Sequence, residues 1–179
     1  VDEVLSGAVP LADLPRDEQA LCLIAAPRRL EQSETIVHEL PALLDSVMAH
    51  FDAIVANTGA NWGEQHAVLL ERSSRALFLV DQRASSLRAC KHAVELCARC
   101  GIAASPFLFV ANRCSKRSLF SSIDVSCAMQ GAHAAELKDG GAEVEQALGT
   151  GLTYDLVSSR NAFAQSVREL MGEVVGEAA

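Results

Sequence analysis

Phe51-Asp-Ala-Ile-Val-Ala-Asn-Thr-Gly-Ala-Asn61 decides how the rest of the chain is read. Phe51, Ala53, Ile54, Val55 and Ala56 form a short apolar run, and Asn57-Thr58-Gly59 ends it with turn formers. The pattern predicts a buried strand, Asp52 to Ala56, that stops in a polar loop of small residues. In parallel-sheet proteins the loop at the carboxyl end of a strand is where ligands sit. Asn57, Thr58 and Gly59 are therefore candidates for facing a ligand.

Working outward, strands and helices alternate. Leu21-Cys-Leu-Ile-Ala-Ala26 is a short apolar run ended by Pro27. Glu39 to His50 reads as a helix with Pro41 tolerated in its first turn. Trp62 to Arg72 reads as helical, and Arg75 to Val80 as a strand. Ser85 or Ser86 is placed to cap a helix running to Cys100, which Gly101 stops. Phe107 to Ala111 is a strand, Ser122 to Met129 a short helix, and Ala132 to Leu137 a weaker strand. Ala142 to Leu148 is a helix ended by Gly149 and Gly151, and Asn161 to Val175 is the last helix, with Gly176 to Ala179 expected to fray. The strands are near-continuously apolar, as when helices cover both faces of a sheet. Such alternation predicts an α/β fold, a three-layer sandwich with a mostly parallel sheet, in a single domain over residues 1–179.

A chain of 179 residues buries roughly 70% of the surface it exposes unfolded. Half its residues are apolar and only 4% aromatic, which suits a core packed from Ala, Leu and Val. The net charge of -8 argues against non-specific binding to DNA or to an anionic membrane, both of which need Lys/Arg-rich surfaces. The chain begins at Val1, and its first fourteen residues form no recognisable strand, so a preceding segment is expected. No apolar run approaches the roughly 20 residues that span a bilayer, and no signal peptide is visible.

The cysteines are Cys22, Cys90, Cys97, Cys100, Cys114 and Cys127, without the regular spacing of a disulfide framework, which points to a reducing cytoplasm. Cys97-Ala-Arg-Cys100 is a lone CxxC with no second pair to complete a zinc site. It falls at a helix C-terminus, where a thiolate is disfavoured, and Cys90, Val94 and Cys97 share a helical stripe. The reading is structural, and no metal site is expected.

Three further loops follow strand ends and belong on one sheet edge: Asp81 to Ser86, Asn112 to Arg117 and Lys138 to Gly141. Topology makes that edge the default ligand site. Polar loops at strand ends also occur in proteins that bind nothing there.

Several segments resemble the ParA/MinD group of P-loop ATPases. Asp52-Ala-Ile-Val-Ala-Asn-Thr-Gly59 is similar to the group's FDxVVxDxP/G strand. Phe107-Leu-Phe-Val-Ala-Asn-Arg113 is similar to its hhhNR strand, and Glu136-Leu-Lys-Asp139 with Val144 and Ala147 to its IPxDxxVxxA segment. Within the group the chain most resembles TadZ/CpaE-like proteins, in Ser122-Ile-Asp-Val125, Gly140-Gly-Ala-Glu-Val144, Ala147-Leu-Gly-Thr-Gly151 and a closing amphipathic helix. Septum-site-determining MinD-like homologues are similar. The resemblance runs from about Val4 to Val174 and implies a SIMIBI-like P-loop NTPase fold, N-terminally incomplete.

Carried over position by position, the resemblance implies that Asn112 reads the adenine edge through one donor and one acceptor; its alternative is a strand-end cap. Arg113 would frame the base, or be a solvated surface side chain. Lys138 and Asp139 would flank base or ribose, although Asp-Gly-Gly is also an ordinary turn. Asn57 stands where the family has the Asp that organises the magnesium shell. Asn is isosteric but neutral, and losing an outer-shell partner weakens a metal site about 10–100-fold. Its alternative is a cap for the turn.

Two family features are not found. None of the eleven glycines begins a GxxxxGK[ST] phosphate loop, which would belong to a strand, loop and helix ahead of Val1. The basic membrane-seeking helix that ends MinD proteins has no counterpart. Arg168 is the one basic residue after Asn161, and Phe163, Val167, Leu170, Met171 and Val174 form a stripe that suits core packing or a partner helix. In Trp62-Gly-Glu-Gln-His66, Glu64 and His66 could pair as acid and base, but no nucleophile accompanies them and solvated helix-start positions are the reading adopted. Arg28-Arg29, and Arg113 with Lys116 and Arg117, are small basic clusters read as solvated or phosphate-facing.

The resemblance implies a cytoplasmic protein, recruited to a pole or septum, that localises or helps assemble a Tad/Flp pilus or secretion machinery or a septum machinery. It would form a homodimer linked to nucleotide, with ATP and Mg²⁺ used by a full-length parent and neither held tightly by this chain alone. No nucleic acid or membrane insertion is implied. The rival readings are an active MinD-like ATPase for division-site placement, a small-molecule ATP-dependent ligase, and a nucleotide-free scaffold.

Overall fold

The protein is described by a computed structural model covering residues 1–27, 29, 31, 33–60 and 62–176. Arg28 of the first basic cluster, Asn61, and Glu177 to Ala179 of the predicted frayed end lie outside the described residues. Two compact units divide the chain, Val1–Arg72 and Ser73–Ala179.

The first unit is helical. It holds α1 (Asp2–Leu5), a 3-10 turn (Leu11–Asp13), α2 (Ser33–Met48) and α3 (Glu64–Arg72). Along α2, Leu40, Leu43, Leu44 and Val47 recur at helical spacing, and the last three are buried with Leu11. Val4, Leu14, Ile24, Phe51, Val68 and Leu69 close around them. The Arg72 guanidinium of α3 pairs with the Asp45 carboxylate of α2. Helix α2 begins six residues before the predicted Glu39, so Pro41 lies inside it and not in its first turn. The apolar stripe that follows Pro41 holds the helix where one backbone bond is forfeited.

Two predicted strands are corrected. Asp52 to Ala56 joins no sheet among the described residues, and Val55 is 92% exposed. Leu21 to Ala26 makes only an isolated antiparallel bridge, Cys22 to Arg16. Apolar patterning supplies strand propensity, but a strand also needs a ladder partner. Among the described residues neither run has one beyond that bridge.

The second unit carries the sheet: β1 (Ala76–Val80), β2 (Phe107–Cys114) and β3 (Ala134–Lys138), all parallel, in the order β1-β2-β3. Its helices are α4 (Ala84–Arg99), α5 (Ser122–Ala128), α6 (Gly141–Thr150), α7 (Tyr154–Val157) and α8 (Ala162–Gly176). On one sheet face Leu108, Val110 and Leu137 pack with Leu170, and Phe163, Val167 and Val174 of α8 complete the cluster. The stripe read from sequence on the last helix is therefore core packing, except at Met171, which is exposed. Phe107, Phe109 and Ala111 alternate to the other face, where the Phe78 ring meets those of Phe107 and Phe109 at 4.8 and 5.5 Å. Leu77 and Leu79 are in register with Leu108 and Val110, yet both remain exposed on β1.

Boundaries explain themselves locally. Arg83, not Ser85 or Ser86, occupies the N-cap of α4, and the Ser86 hydroxyl instead accepts from the Asp81 amide at 3.0 Å. Helix α5 is held by a capping box between Ser121 and Asp124. Helix α6 runs through Gly149 and stops at Gly151, whose φ of 73° is left-handed.

Candidate functional site

The carboxyl ends of β1, β2 and β3 form one edge, as parallel strands require. At the middle of that edge the register with β3 breaks between Ala111 and Cys114. The break falls on Asn112 and Arg113. Arg113 has φ 53°, a left-handed conformation that costs a non-glycine residue free energy and that clusters at ligand sites. The Asn112 side-chain oxygen accepts from the Arg113 amide at 3.0 Å, which steadies that turn. Its side-chain nitrogen has no hydrogen-bond partner among the described residues, and Asn112 is half-buried. One free donor beside an oxygen with a lone pair to spare is what an adenine edge requires.

Gln82, in the loop after β1, fastens this edge. Its side-chain nitrogen donates to the Asn112 carbonyl at 2.9 Å and the Phe120 carbonyl at 3.1 Å, and its oxygen accepts from the Phe120 amide at 2.9 Å. The same nitrogen lies 3.5 Å from the Cys114 sulfur. Burial pushes the Cys114 thiol above its ordinary pKa, so it stays protonated and unreactive. Sequence reading placed Gln82 in an edge loop but gave it no role. A Gln two residues past a strand end carries no motif, and its importance rests on three backbone partners distant in sequence.

The third loop is tied to the second by the Asp139 amide, which donates to the Cys114 carbonyl at 3.0 Å. The Asp139 carboxylate accepts from the Gly141 amide at 3.1 Å, an Asx turn leading into α6. Lys138 donates its ammonium to Glu136 at 2.5 Å and its backbone amide to the Ser166 hydroxyl at 3.0 Å. The other Glu136 oxygen accepts from the amide and hydroxyl of Ser122 at 3.0 and 3.1 Å. The Lys138 ammonium, then the Ser122 amide, hold the Glu136 carboxyl below its usual range, and Glu136 in turn raises Lys138. Asn112, Arg113, Lys138 and Asp139 are thus brought to one edge.

Asn57, Thr58 and Gly59 belong to the first unit. They are exposed and lie outside any helix or strand, and the Asn57 side chain makes no hydrogen bond among the described residues, so it caps no turn. His66 corrects the sequence reading. It is only 6% exposed, not solvated, and stacks on Trp62 with ring centroids 4.9 Å apart. Its Nδ1 accepts from the Gly63 amide at 3.2 Å and its Nε2 faces the Gly59 carbonyl at 3.0 Å. Those partners require the neutral Nε2–H tautomer, so His66 anchors the loop backbone. Glu64 is exposed and makes no pair with it.

Cys90 and Cys97 are buried, and desolvation raises both thiols, Cys90 to about 11. Among the described residues no group of three or more His, Cys, Asp or Glu side chains is placed to hold a metal, and no helix is long and apolar enough to cross a membrane.

No protein-family model matches the chain, and no curated protein does. Solved structures share its fold. A ParA family ATPase from Chlorobium tepidum TLS aligns with a TM-score of 0.81 at 15% identity, covering 95% of this chain and 74% of that one. MinD from Aquifex aeolicus aligns at 0.64 and 20% identity, over 96% of this chain and 74% of that one. A chain of a MinC:MinD cell division protein complex from Aquifex aeolicus gives 0.63 and 18%, over 96% of this chain and 72% of that one. The fold is that of the ParA/MinD P-loop ATPases.

Proposed function

We propose that this chain serves a nucleotide-linked positioning protein of the TadZ/CpaE type, which dimerises and localises or helps assemble a pilus, secretion or septum machinery. The supporting observation is the Asn112–Arg113 turn. A broken register, a left-handed Arg113 and an unpartnered half-buried amide coincide at one strand end. ParA/MinD relatives of this fold imply ATP and Mg²⁺. The residues present fit the base end of such a ligand, with Asn112 on the adenine edge, Arg113 framing it and Lys138 and Asp139 flanking the sugar. At the position where the resemblance puts the magnesium-organising Asp, Asn57 offers no charge to a magnesium shell. Binding and positioning therefore outrank hydrolysis.

The test is to join a strand–GxxxxGK[ST]–helix unit ahead of Val1 and follow sedimentation and phosphate release with and without ATP. ATP-dependent dimers with slow turnover, raised by Asn57→Asp, are expected. A fast turnover that Asn57→Asp leaves unchanged would favour an ordinary MinD-like ATPase. No response to ATP would sink the nucleotide reading.

A further inference from the structure

Charge is not spread evenly along this acidic chain. Between Arg83 and Ser118 lie seven of its fifteen Lys and Arg, against one of its twenty-three Asp and Glu, Glu95. Within that stretch the outer stripe of α4 forms one wall of an open groove of about 490 Å³. Leu87, Phe120 and Ala128 give the groove its apolar surface, and Arg88, Lys91 and Glu95 follow one another along the wall. Arg88 and Lys91 are exposed, and neither has an acidic partner within ion-pair distance among the described residues. The opposite stripe of α4 buries Cys90, Ala93 and Cys97, so the groove face is not needed for the core.

We propose that this groove docks an acidic amphipathic helix of a partner protein. The partner's apolar stripe would cover Leu87, Phe120 and Ala128. Its carboxylates would meet Arg88 and Lys91, three residues apart on one helix face and so with Cβ atoms about 5–6 Å from each other. That spacing is matched by acids at i and i+3 or i+4 of a second helix, and the apolar surface beside the cations favours an amphipathic helix over a phosphate backbone, which carries no apolar stripe. Glu95, one turn past Lys91, fixes polarity. It favours the positive N-terminal end of the docked helix, which leaves the negative C-terminal end beside Arg88. The docked helix therefore runs antiparallel to α4. None of this depends on the nucleotide reading.

The test uses the whole chain and three synthetic amphipathic helices with one shared apolar stripe and acidic, neutral or basic flanks, with a short DNA duplex as a fourth probe. Fluorescence anisotropy should show the acidic helix binding, with affinity falling as salt rises. The double variant Arg88→Glu with Lys91→Glu, checked for folding by circular dichroism, should weaken that binding about tenfold or more and improve binding of the basic helix. A spin label at Ala84 should broaden the C-terminal half of the bound peptide. Equal binding of all three helices, no binding of the acidic one, or binding of the DNA that the double variant abolishes would each overturn the proposal. So would a sedimentation shift showing that the double variant disrupts a contact between two copies of this chain.

Discussion

Removing the Gln82 carboxamide should loosen the strand-end edge around Asn112 and Phe120. In Gln82→Leu, two carbonyl acceptors at Asn112 and Phe120 and one amide donor at Phe120 lose their partner together. Each such bond contributes about 0.5–1.5 kcal/mol net, and a buried group left unpaired costs about 1–3 kcal/mol. All these groups are half-buried, so water recovers part of the loss, and a total near 2–3 kcal/mol is expected. For a chain of this length each kcal/mol lowers the midpoint by about 2–4 °C, so a fall of about 4–12 °C should follow. Gln82→Glu separates geometry from chemistry. It keeps the acceptor for the Phe120 amide but sets a carboxylate against two carbonyl oxygens. It should be at least as destabilised as the Leu variant at neutral pH, and recover in acid as the carboxyl gains a proton. Urea unfolding by circular dichroism gives the stability, and hydrogen exchange at the Phe120 amide reports the site itself. If Gln82→Leu stays within about 0.5 kcal/mol of the parent with Phe120 exchange unchanged, the clamp described here is wrong.

Other outcomes follow from the same structure. Leu170→Ala removes the α8 side chain buried against Leu108, Val110 and Leu137 and should cost about 2–5 kcal/mol, while exposed Met171→Ala should stay within about 0.5 kcal/mol. A Cβ at Gly140 would run into the Val144 side chain and lie 3.0 Å from the Phe163 Cβ, so Gly140→Ala should displace the start of α6 at a cost of about 1–3 kcal/mol. The pH dependence has a fixed sign. The lowered Glu136 carboxyl stabilises the fold above its unfolded pKa of about 4.3 and loses that contribution as pH falls through its lower folded value. Glu136→Gln should flatten the acid limb of a stability–pH curve. An unchanged limb would mean that the Lys138 and Ser122 contacts do not hold the carboxylate.

The second unit was the more legible in sequence. Phe107 to Ala111 and Arg75 to Val80 were readable because short runs of Leu, Phe and Val bounded by polar turn formers suit a strand. Gly151 ended its helix for the reason its lack of a Cβ provides. The first unit was less legible because apolar patterning does not say what a segment pairs with. Asp52 to Ala56 has a strand's composition and no ladder partner among the described residues. His66 was misread for a related reason. A lone His at a helix start shows nothing of the Gly59 carbonyl and Gly63 amide that enclose it. At the edge, sequence named Asn112 and Arg113, but neither the left-handed Arg113 nor the β2–β3 register break beside it carries a sequence signal.

The Asn112 side-chain amide is where the central claim is most exposed to test. The direct measurement is a titration of the protein with millimolar ATP and, separately, GTP, following the Asn112 side-chain amide and the Arg113 backbone amide by NMR. The account predicts saturable shifts of both signals with ATP, little response to GTP, and loss of the Arg113 response in Asn112→Ala. Equal responses to the two nucleotides, or an ATP response that Asn112→Ala leaves intact, would contradict it.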